Sequence, residues 1–481
     1  MPTPAPLLFD ALIVGAGQAG PALAGRLTAA GMRVALIERK FFGGTCVNTG
    51  CMPTKALVAS AYAAHLARRA ADFGVRLEGS VQVDMRAVKA RKDKVTLTAR
   101  GNIEAWLQGM QGCSVFRGHA RFESPTTLRL DGDGGLRLSA PRIFVNVGGR
   151  ALRPADMPGI AAVRTLDNVS MMELDELPRH LVVVGGSYIG LEFAQMYRRF
   201  GAAVTVVEKA PRLLGREDED VADAIRAILE AEGIALRLGA ECIRFRPEGE
   251  DIAVGVDCAS GAPEVTGSHV LLAIGRRPNT DALGLEQAGV ALDERGYIRV
   301  DEQLRTNVPG IWALGDCNGR GAFTHTAYND FEIVAANLLD SLPRPRSVGD
   351  RIDCYALFID PPLGRVGMSE AQALAAGHRI RVGKRPMSRV GRAVEKGETQ
   401  GLMKTVVDAD SGVILGAAIL GVGGDEAIHS VLDSMAAGAD AAALARTMHI
   451  HPTVAELIPT VMGELSAPHG PGLPPSAATG P

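Results

Sequence analysis

Two cysteines, Cys46 and Cys51, lie five residues apart in the sequence. Asn48 and Gly50 between them tolerate the tight backbone that two sulfurs need in order to meet. The alanine-rich run 56–71 has no glycine or proline and predicts a helix, with the cysteine pair at its N-terminal end. Free backbone N–H groups and the helix dipole stabilise a thiolate there. The stretch therefore predicts a reversible dithiol/disulfide with one acidified sulfur, although two buried thiols or a structural bridge would fit it too.

Composition limits the class of protein. A chain of 481 residues suggests two to four domains, and 47% hydrophobic residues with 57 glycines fit a globular α/β protein. The net charge of −3 gives no electrostatic case for binding nucleic acid or a membrane surface. No apolar run approaches the roughly 18 residues of a membrane span, and the first residues do not resemble a signal peptide. Seven cysteines with one close pair suit a reducing compartment, so we expect a cytoplasmic protein.

The elements that would position the cysteines begin with a dinucleotide-binding pattern. An apolar run at 8–14 leads into a turn containing Gly15, Gly17 and Gly20, then a helix to residue 30 and a second strand ending in Glu38. Gly15 makes the turn, Gly17 lets the backbone approach a pyrophosphate, and Gly20 lets helix and strand pack closely. Glu38 is placed to accept a hydrogen bond from an adenosine ribose.

The same pattern returns 170 positions later. Gly185 corresponds to Gly15 and Glu208 to Glu38, and both pairs are 23 residues apart. Gly190 corresponds to the third glycine, whereas Ser187 replaces the middle one and should hold the pyrophosphate further away or add a hydroxyl contact. This repeat predicts two dinucleotide sites on one chain.

Two dinucleotide sites and a redox-competent cysteine pair predict an electron relay. A nicotinamide donates hydride, a flavin accepts it, and the flavin reduces the disulfide. Glu208 at the ribose position favours NADH over NADPH because a carboxylate repels a 2′-phosphate. Lys209 and Arg212 are nearby cations that oppose this preference.

The quoted stretches resemble the class I pyridine nucleotide–disulfide oxidoreductases, over nearly the whole chain from Phe9 to Leu465. A further flavin motif is similar at 306–316, and strands resembling those that close the nucleotide domains lie at 145–150 and 273–278. The resemblance implies an α/β fold with two Rossmann-like domains and a C-terminal α+β dimerisation domain. We expect an FAD domain at 1–150 and 278–347, an NAD(P) domain at 151–277, a dimerisation domain at 348–465 and a disordered tail at 466–481.

The resemblance also implies residue roles. Cys51 would be the thiolate that faces the flavin and Cys46 the thiol that exchanges with substrate, while Lys55 would lie near the flavin N5 with Glu192 as its carboxylate partner. The further cofactor-binding residues that we expect are Gly44, Thr45, Gly148, Gly275 and Asp316, the last on the ribityl chain.

The segment 449–456 matches the family's C-terminal His-Pro motif. The resemblance implies a homodimer in which His451 reaches the partner subunit's cysteine pair as acid–base, with Glu456 orienting it. Thiol–disulfide exchange needs such a proton carrier near neutral pH. His449 would be a second participant or, in preference, a packing or cap residue, and Cys317 is expected to be buried and inert.

The sequence says less about the electron acceptor than about the electron donor. Strict mercuric reductases carry a C-terminal cysteine pair, and no cysteine follows Cys354 here. The segment 321–331 is nevertheless similar to the mercuric-reductase-like group, which includes flavoproteins of reactive-chlorine resistance. We expect a soft metal ion or small disulfide as acceptor and no resident metal. The alternatives are an NAD-linked dihydrolipoamide dehydrogenase and a non-enzymatic flavoprotein redox sensor.

Overall fold

The computed structural model describes residues 5–131, 135–241, 243–257 and 262–471. It has the predicted α/β architecture, with two parallel sheets followed by an antiparallel sheet. The first parallel sheet has the strand order Ile311–Ala313, Ile143–Val145, Ala11–Val14, Val34–Glu38 and Cys113–Arg117. A strand from late in the chain thus completes the sheet that begins at residue 11.

The strand Ala11–Val14 is buried on both faces, as its continuous apolar sequence predicts for a covered parallel sheet. Ala11 and Ile13 pack in one core with the helices Ala19–Ala29 and Thr324–Leu339. Leu12 and Val14 face a second core on the opposite side of the sheet. That side is covered by a smaller sheet of Leu7–Leu8, Arg137–Ser139, Thr127–Asp131 and His119–Ser124.

The second parallel sheet repeats this plan. Its strand order is Ala235–Leu238, Ala203–Glu208, His180–Val184 and His269–Leu272, and it is covered by the antiparallel strands Arg244–Glu248, Asp251–Gly255 and Glu264–Gly267. The internal repeat read from the sequence is therefore a repeat of structure. The short strands Gly149–Ala151 and Arg276–Pro278 pair antiparallel and join the two units.

The third sheet is antiparallel, in the order Cys354–Leu357, Leu363–Gly367, Ile414–Leu420, Leu402–Asp408 and Ile380–Pro386. The helices other than the two named above are Gly44–Thr49, Cys51–Arg68, Met85–Gln108, Asn168–Met171, Tyr188–Phe200, Glu219–Ala231, Leu285–Ala288, Glu370–Ala375, Gly391–Glu395, Gly424–Ala427, His429–Ala436, Ala441–Ala445 and Ile458–Gly463. In the described ranges, no helix combines the length and apolar character that crossing a membrane requires.

The end of the chain differs from the sequence-based expectation of a disordered tail from residue 466. Leu465 and His469 form antiparallel bridges with Gly383 and Ile380, so the described residues 466–471 run beside the edge strand of the third sheet. An edge strand offers unpaired N–H and C=O groups, and this segment satisfies them. The remainder of that prediction, at 472–481, lies outside the described residues.

Candidate functional site

The glycines of the two repeated turns are required by close backbone approach. A Cβ on Gly15 would overlap the Asn146 carbonyl oxygen, and one on Gly20 would overlap the Gly15 carbonyl oxygen. The second unit has the same contacts, from Gly185 to the Ala273 carbonyl and from Gly190 to the Gly185 carbonyl. Both Gly15 and Gly185 also have positive φ angles, of 108° and 117°.

The two predicted ribose carboxylates occupy equivalent positions. Glu38 accepts hydrogen bonds from the backbone N–H groups of Ala16 (2.9 Å) and Lys40 (2.7 Å). Glu208 accepts from Gly186 (2.5 Å) and Ala210 (2.8 Å). Each oxygen retains a lone pair, so both carboxylates can still accept a sugar hydroxyl.

Open space lies beside the glycines expected to approach a cofactor. At Gly148 and Gly275, which follow equivalent strands, an added Cβ would meet nothing within 4 Å. At Gly17 the three atoms nearest to an added Cβ would belong to the Asn146 side chain, at 3.2 Å or more. Ser187 begins its helix without a side-chain capping hydrogen bond, so its hydroxyl is available to a ligand. These residues fit one dinucleotide in each unit, as FAD and NAD(P)H require.

The cysteine loop packs against the first turn. A Cβ on Gly44 would lie 2.8 Å from Gly17 Cα, and Gly43 N–H donates to the Ala16 carbonyl. Thr45 follows in the short helix Gly44–Thr49 and lines a cleft of about 240 Å³ between the two nucleotide-binding units. The cleft is lined by Thr45, Thr49, Gly149, Arg150, Ala151, Arg153, Asp167, Asn168, Val169, Arg276 and Arg277.

The two cysteines lie on different helices. Cys46 is within Gly44–Thr49, whereas Cys51 is the first residue of Cys51–Arg68, a helix that starts five residues earlier than the sequence predicts. Gly50 separates the helices, and a Cβ there would lie 2.9 Å from the Thr45 carbonyl oxygen. Cys51 is therefore itself the helix N-terminal residue, where backbone N–H groups favour a thiolate.

The pKa values of the two cysteine thiols shift in opposite directions. A hydrogen bond from Cys46 lowers the pKa of Cys51 to about 6, against the opposing effect of burial, with further help from Thr324 and Lys55. The same hydrogen bond, together with burial, raises the pKa of Cys46. These opposite shifts favour a thiolate at Cys51 and a thiol at Cys46, and the roles expected for the two sulfurs stay predictions.

Lys55 lies on the same helix as Cys51 and forms a link between three parts of the chain. Its Nζ lies 3.1 and 3.0 Å from the Glu192 carboxylate oxygens, on the helix Tyr188–Phe200. Glu192 Oε1 also accepts the Phe358 backbone N–H at 3.0 Å, and the Phe358 ring centroid lies 4.1 Å from Lys55 Nζ. The predicted lysine–glutamate pair is therefore present, and Phe358 is an additional neighbour that sequence reasoning did not identify.

Two arginines form hydrogen bonds with residues of this site, and sequence reasoning did not identify them either. Arg276 Nη2 donates to Asp316 Oδ2 (3.2 Å) and to the Gly149 carbonyl (2.8 Å), and so holds the carboxylate predicted to bind the flavin. Arg100 Nε donates to Asn48 Oδ1 at 2.7 Å, within the cysteine loop. Both contacts join residues far apart in sequence, and no local pattern marks them.

His451 and Glu456 form the predicted pair, with Nδ1 2.8 Å from Oε2. Among the described residues, no hydrogen bond or ion pair links this imidazole to either cysteine of the same chain. Its side chain is 81% exposed, and the nearby Met448 and Ile450 are 95% and 79% exposed. Exposed apolar side chains of this kind mark a surface suited to contact with another chain.

The structure also shows the surroundings of His449 and Cys317, whose roles the sequence leaves open. His449 Nδ1 bonds the Ala455 carbonyl oxygen at 2.6 Å, which agrees with the preferred cap role. Cys317 is fully buried, and burial raises its pKa to about 12, which favours the inert thiol that the sequence predicts. Within the part of the chain that the structure describes, no group of three or more His, Cys, Asp or Glu side chains could hold a metal ion.

Comparison with known proteins gives consistent matches over this architecture. The family model for pyridine nucleotide-disulphide oxidoreductases matches residues 9–330, and the model for their dimerisation domain matches residues 354–462. A probable pyridine nucleotide-disulfide oxidoreductase, RclA from Escherichia coli K12, is 37% identical over 93% of this chain and 97% of its own length. The structure of a Cu(II) complex of RclA, described as an HOCl-induced flavoprotein disulfide reductase, has a TM-score of 0.85 and 36% identity, covering 95% of this chain and 99% of that one.

Two other kinds of relative align over a similar range. A dihydrolipoyl dehydrogenase from Thermus scotoductus is 32% identical over 93% of this chain and 95% of its own length. A mercuric reductase from Streptomyces lividans is 34% identical and covers 94% of each chain. All are oxidoreductases, and together they span the groups to which the sequence motifs point.

Proposed function

The chain belongs to the pyridine nucleotide-disulphide oxidoreductase family, as its motifs predict, and from this premise we propose that it passes electrons from NADH through FAD to the Cys46–Cys51 pair and then to a soft metal ion or a small disulfide. When bound, FAD accepts a hydride from the nicotinamide and supplies two electrons to the disulfide. The observation that carries the proposal is the acidified sulfur of Cys51 in a chain that has two dinucleotide-binding turns, the first of which packs against the cysteine loop.

In this proposal, different residues of the chain take part in disulfide reduction and in cofactor binding. The disulfide takes up two electrons and one proton, the S–S bond breaks, and Cys46 thiol and Cys51 thiolate remain. Lys55 holds positive charge beside the flavin-facing sulfur, and Glu192 keeps its ammonium in place. Glu38 and Asp316 orient the flavin nucleotide, while Gly185, Ser187, Gly190 and Gly275 receive the nicotinamide nucleotide.

Proton transfer at the acceptor is assigned to a second subunit. His451, oriented by Glu456, takes the proton of Cys46 as that sulfur attacks the acceptor and returns it to the leaving group. His451 is exposed in its own chain, and it lies within residues 354–462, which match the family's model for the dimerisation domain. The proposed active form is therefore a homodimer in which each site uses the imidazole of the other chain.

The nicotinamide donor is proposed to be NADH. The reason is Glu208. Its carboxylate is fixed by two backbone N–H groups at the position where such units bind the adenosine ribose. A 2′-phosphate would meet this negative charge at close range.

The acceptor is proposed from two observations. The relative RclA has a structure described as a Cu(II) complex, and Cys46 is a thiol able to bind soft metals or to exchange with a disulfide. A second candidate, dihydrolipoamide oxidation with NAD, is favoured by the 32% identical dihydrolipoyl dehydrogenase and by Glu208.

The test is steady-state oxidation of NADH and NADPH with Hg(II), Cu(II), lipoamide, glutathione disulfide and a quinone as separate acceptors. We expect turnover with at least one metal ion or disulfide, its loss in Cys46→Ser, and its retention in the control Cys113→Ser, since Cys113 lies on a distant edge strand. Titration with NADH under argon should also produce a long-wavelength absorption band that Cys51→Ser lacks. A folded, FAD-loaded protein without this band, or a band that persists in Cys51→Ser, would contradict the relay.

A further inference from the structure

The sulfur of Cys51 has a hydrogen-bond partner from a distant part of the chain. Thr324 Oγ1 lies 3.0 Å from Cys51 Sγ, although the two residues are 273 positions apart. Thr324 is the first residue of the helix Thr324–Leu339, and Cys51 is the first residue of its own helix. The sulfur therefore lies at the N-terminal ends of two helices at once.

The residues before and after Thr324 in the sequence are held in place by ring contacts and hydrogen bonds. The Phe323 ring stacks on Tyr355 (centroids 5.7 Å apart, planes at 12°) and on His325 (5.4 Å, 8°). The His325 ring is held in turn by a 2.7 Å hydrogen bond to the Cys354 carbonyl, and Thr326 bonds the Phe323 backbone at 3.0 Å and 2.7 Å. The Thr324 hydroxyl is thus presented to the sulfur by a rigid segment.

The chemistry of the contact depends on the charge of the sulfur. A thiolate has no proton to donate, so in that state the Thr324 hydroxyl is the donor and stabilises the charge. A neutral Cys51 thiol would compete with this hydroxyl for the donor role and would gain less from the contact. The hydrogen bond therefore stabilises the charged state of Cys51.

We propose that Thr324 is a further catalytic residue, whose hydroxyl donates to the Cys51 thiolate and stabilises it after reduction. The proposal rests on the proposed relay, in which the disulfide gains two electrons and one proton to give Cys46 thiol and Cys51 thiolate. The proton on Thr324 Oγ1 stays there throughout, and no bond to threonine forms or breaks. The contact acts beside the larger effect of Cys46, whose hydrogen bond is the main cause of the lowered Cys51 pKa.

The test uses the FAD-loaded Cys46→Ser protein, in which Cys51 is the only sulfur of the pair. Its thiolate should form as the pH is raised, and the growth of the long-wavelength band gives the midpoint. A second readout is the pH dependence of iodoacetamide alkylation at Cys51, followed by mass spectrometry, because only the thiolate reacts. Thr324→Val, Thr324→Ala and Thr324→Ser are compared in this background, with Thr28→Val as a control, since the Thr28 hydroxyl bonds only its own helix.

We expect Thr324→Val and Thr324→Ala to raise the midpoint by about one to two pH units, because a hydrogen bond to a charged group is lost. Thr324→Ser should restore it and Thr28→Val should leave it unchanged. Unchanged midpoints in both hydroxyl-lacking variants would overturn the proposal, as would a serine variant that behaves like valine.

The two readouts separate this proposal from the relay. If Cys46→Ser shows no long-wavelength band at any pH, Cys51 does not face the flavin and the relay fails. The alkylation midpoint then still reports the Thr324 contact, which stands if valine raises it and falls if valine does not.

Discussion

Glu192 accepts hydrogen bonds at 3.0 and 3.1 Å from the Lys55 ammonium across the boundary between the two nucleotide-binding units. The Glu192 side chain is only 8% exposed, so Lys55 is a close partner of a largely buried carboxylate. We expect Lys55→Met to lower the free energy of unfolding by about 1–3 kcal/mol, because the carboxylate keeps only its Phe358 N–H donor. Calorimetry would show this as a lower thermal midpoint.

The control for that prediction is Lys89→Met, which removes a partly exposed helix lysine from its ion pairs with Asp93 and Glu173 and should cost less than about 1 kcal/mol. Glu192→Gln and the double variant complete a thermodynamic cycle with Lys55→Met. Additive effects in this cycle would mean that the pair contributes nothing through their mutual contact.

His451→Gln should separate the two halves of the reaction. We expect acceptor turnover to fall by about 10²–10⁴-fold, the usual contribution of general acid–base catalysis, while reduction of the protein by NADH in stopped-flow experiments keeps its rate. His449→Gln is the matched control on the same loop. It should lower the thermal midpoint by removing the bond to the Ala455 carbonyl and leave turnover almost unchanged. An equal loss of turnover in both variants would reject the assignment of His451.

Mixed dimers test whether His451 acts across the subunit interface. Neither Cys46→Ser nor His451→Gln should turn over the acceptor alone. After the two are unfolded together, refolded and reloaded with FAD, about half of the dimers should be mixed, and one of the two sites in each should contain both wild-type residues. We therefore expect about a quarter of the wild-type rate. A rate no higher than that of the parents would place the histidine and the cysteines of one site in the same chain.

Glu208→Gln should weaken the preference for NADH. Two unit charges about 4 Å apart near a protein surface interact by roughly 4 kcal/mol, so a carboxylate beside a 2′-phosphate is a strong discriminator. We expect the ratio of kcat/KM for NADH to that for NADPH to fall by about tenfold or more. Glu219→Gln, at the start of the next helix, provides the control, and an unchanged ratio in Glu208→Gln would remove this residue from coenzyme selection.

Local patterns predicted the parts of the site that local backbone geometry determines. The turns at Gly15 and Gly185, the carboxylates that follow, and the repeat that relates them are short-range features, and the structure has all of them. The helix carrying Cys51 was predicted to start at residue 56, whereas it starts at Cys51 and has Pro53 in its first turn. Proline is tolerated in a first turn, where its missing N–H would have no partner.

Contacts between distant segments were not predictable in this way. Thr324, Arg276 and Phe358 each meet the site through tertiary packing, and nothing in their own neighbourhoods marks them. The roles of the cysteines, the lysine and the histidine came from the family resemblance. Their side-chain neighbours came only from the structure.

The meeting of two helix ends at Cys51 has a consequence for biosynthesis. Residues 46–51 leave the ribosome hundreds of residues before Thr324, so a growing chain contains both cysteines but lacks one of the groups that stabilise the thiolate. Oxidants attack thiolates in preference to thiols. With the role proposed for Thr324, the cysteine pair acquires its full reactivity only after the helix Thr324–Leu339 has packed against it, which limits premature oxidation of an unfinished chain.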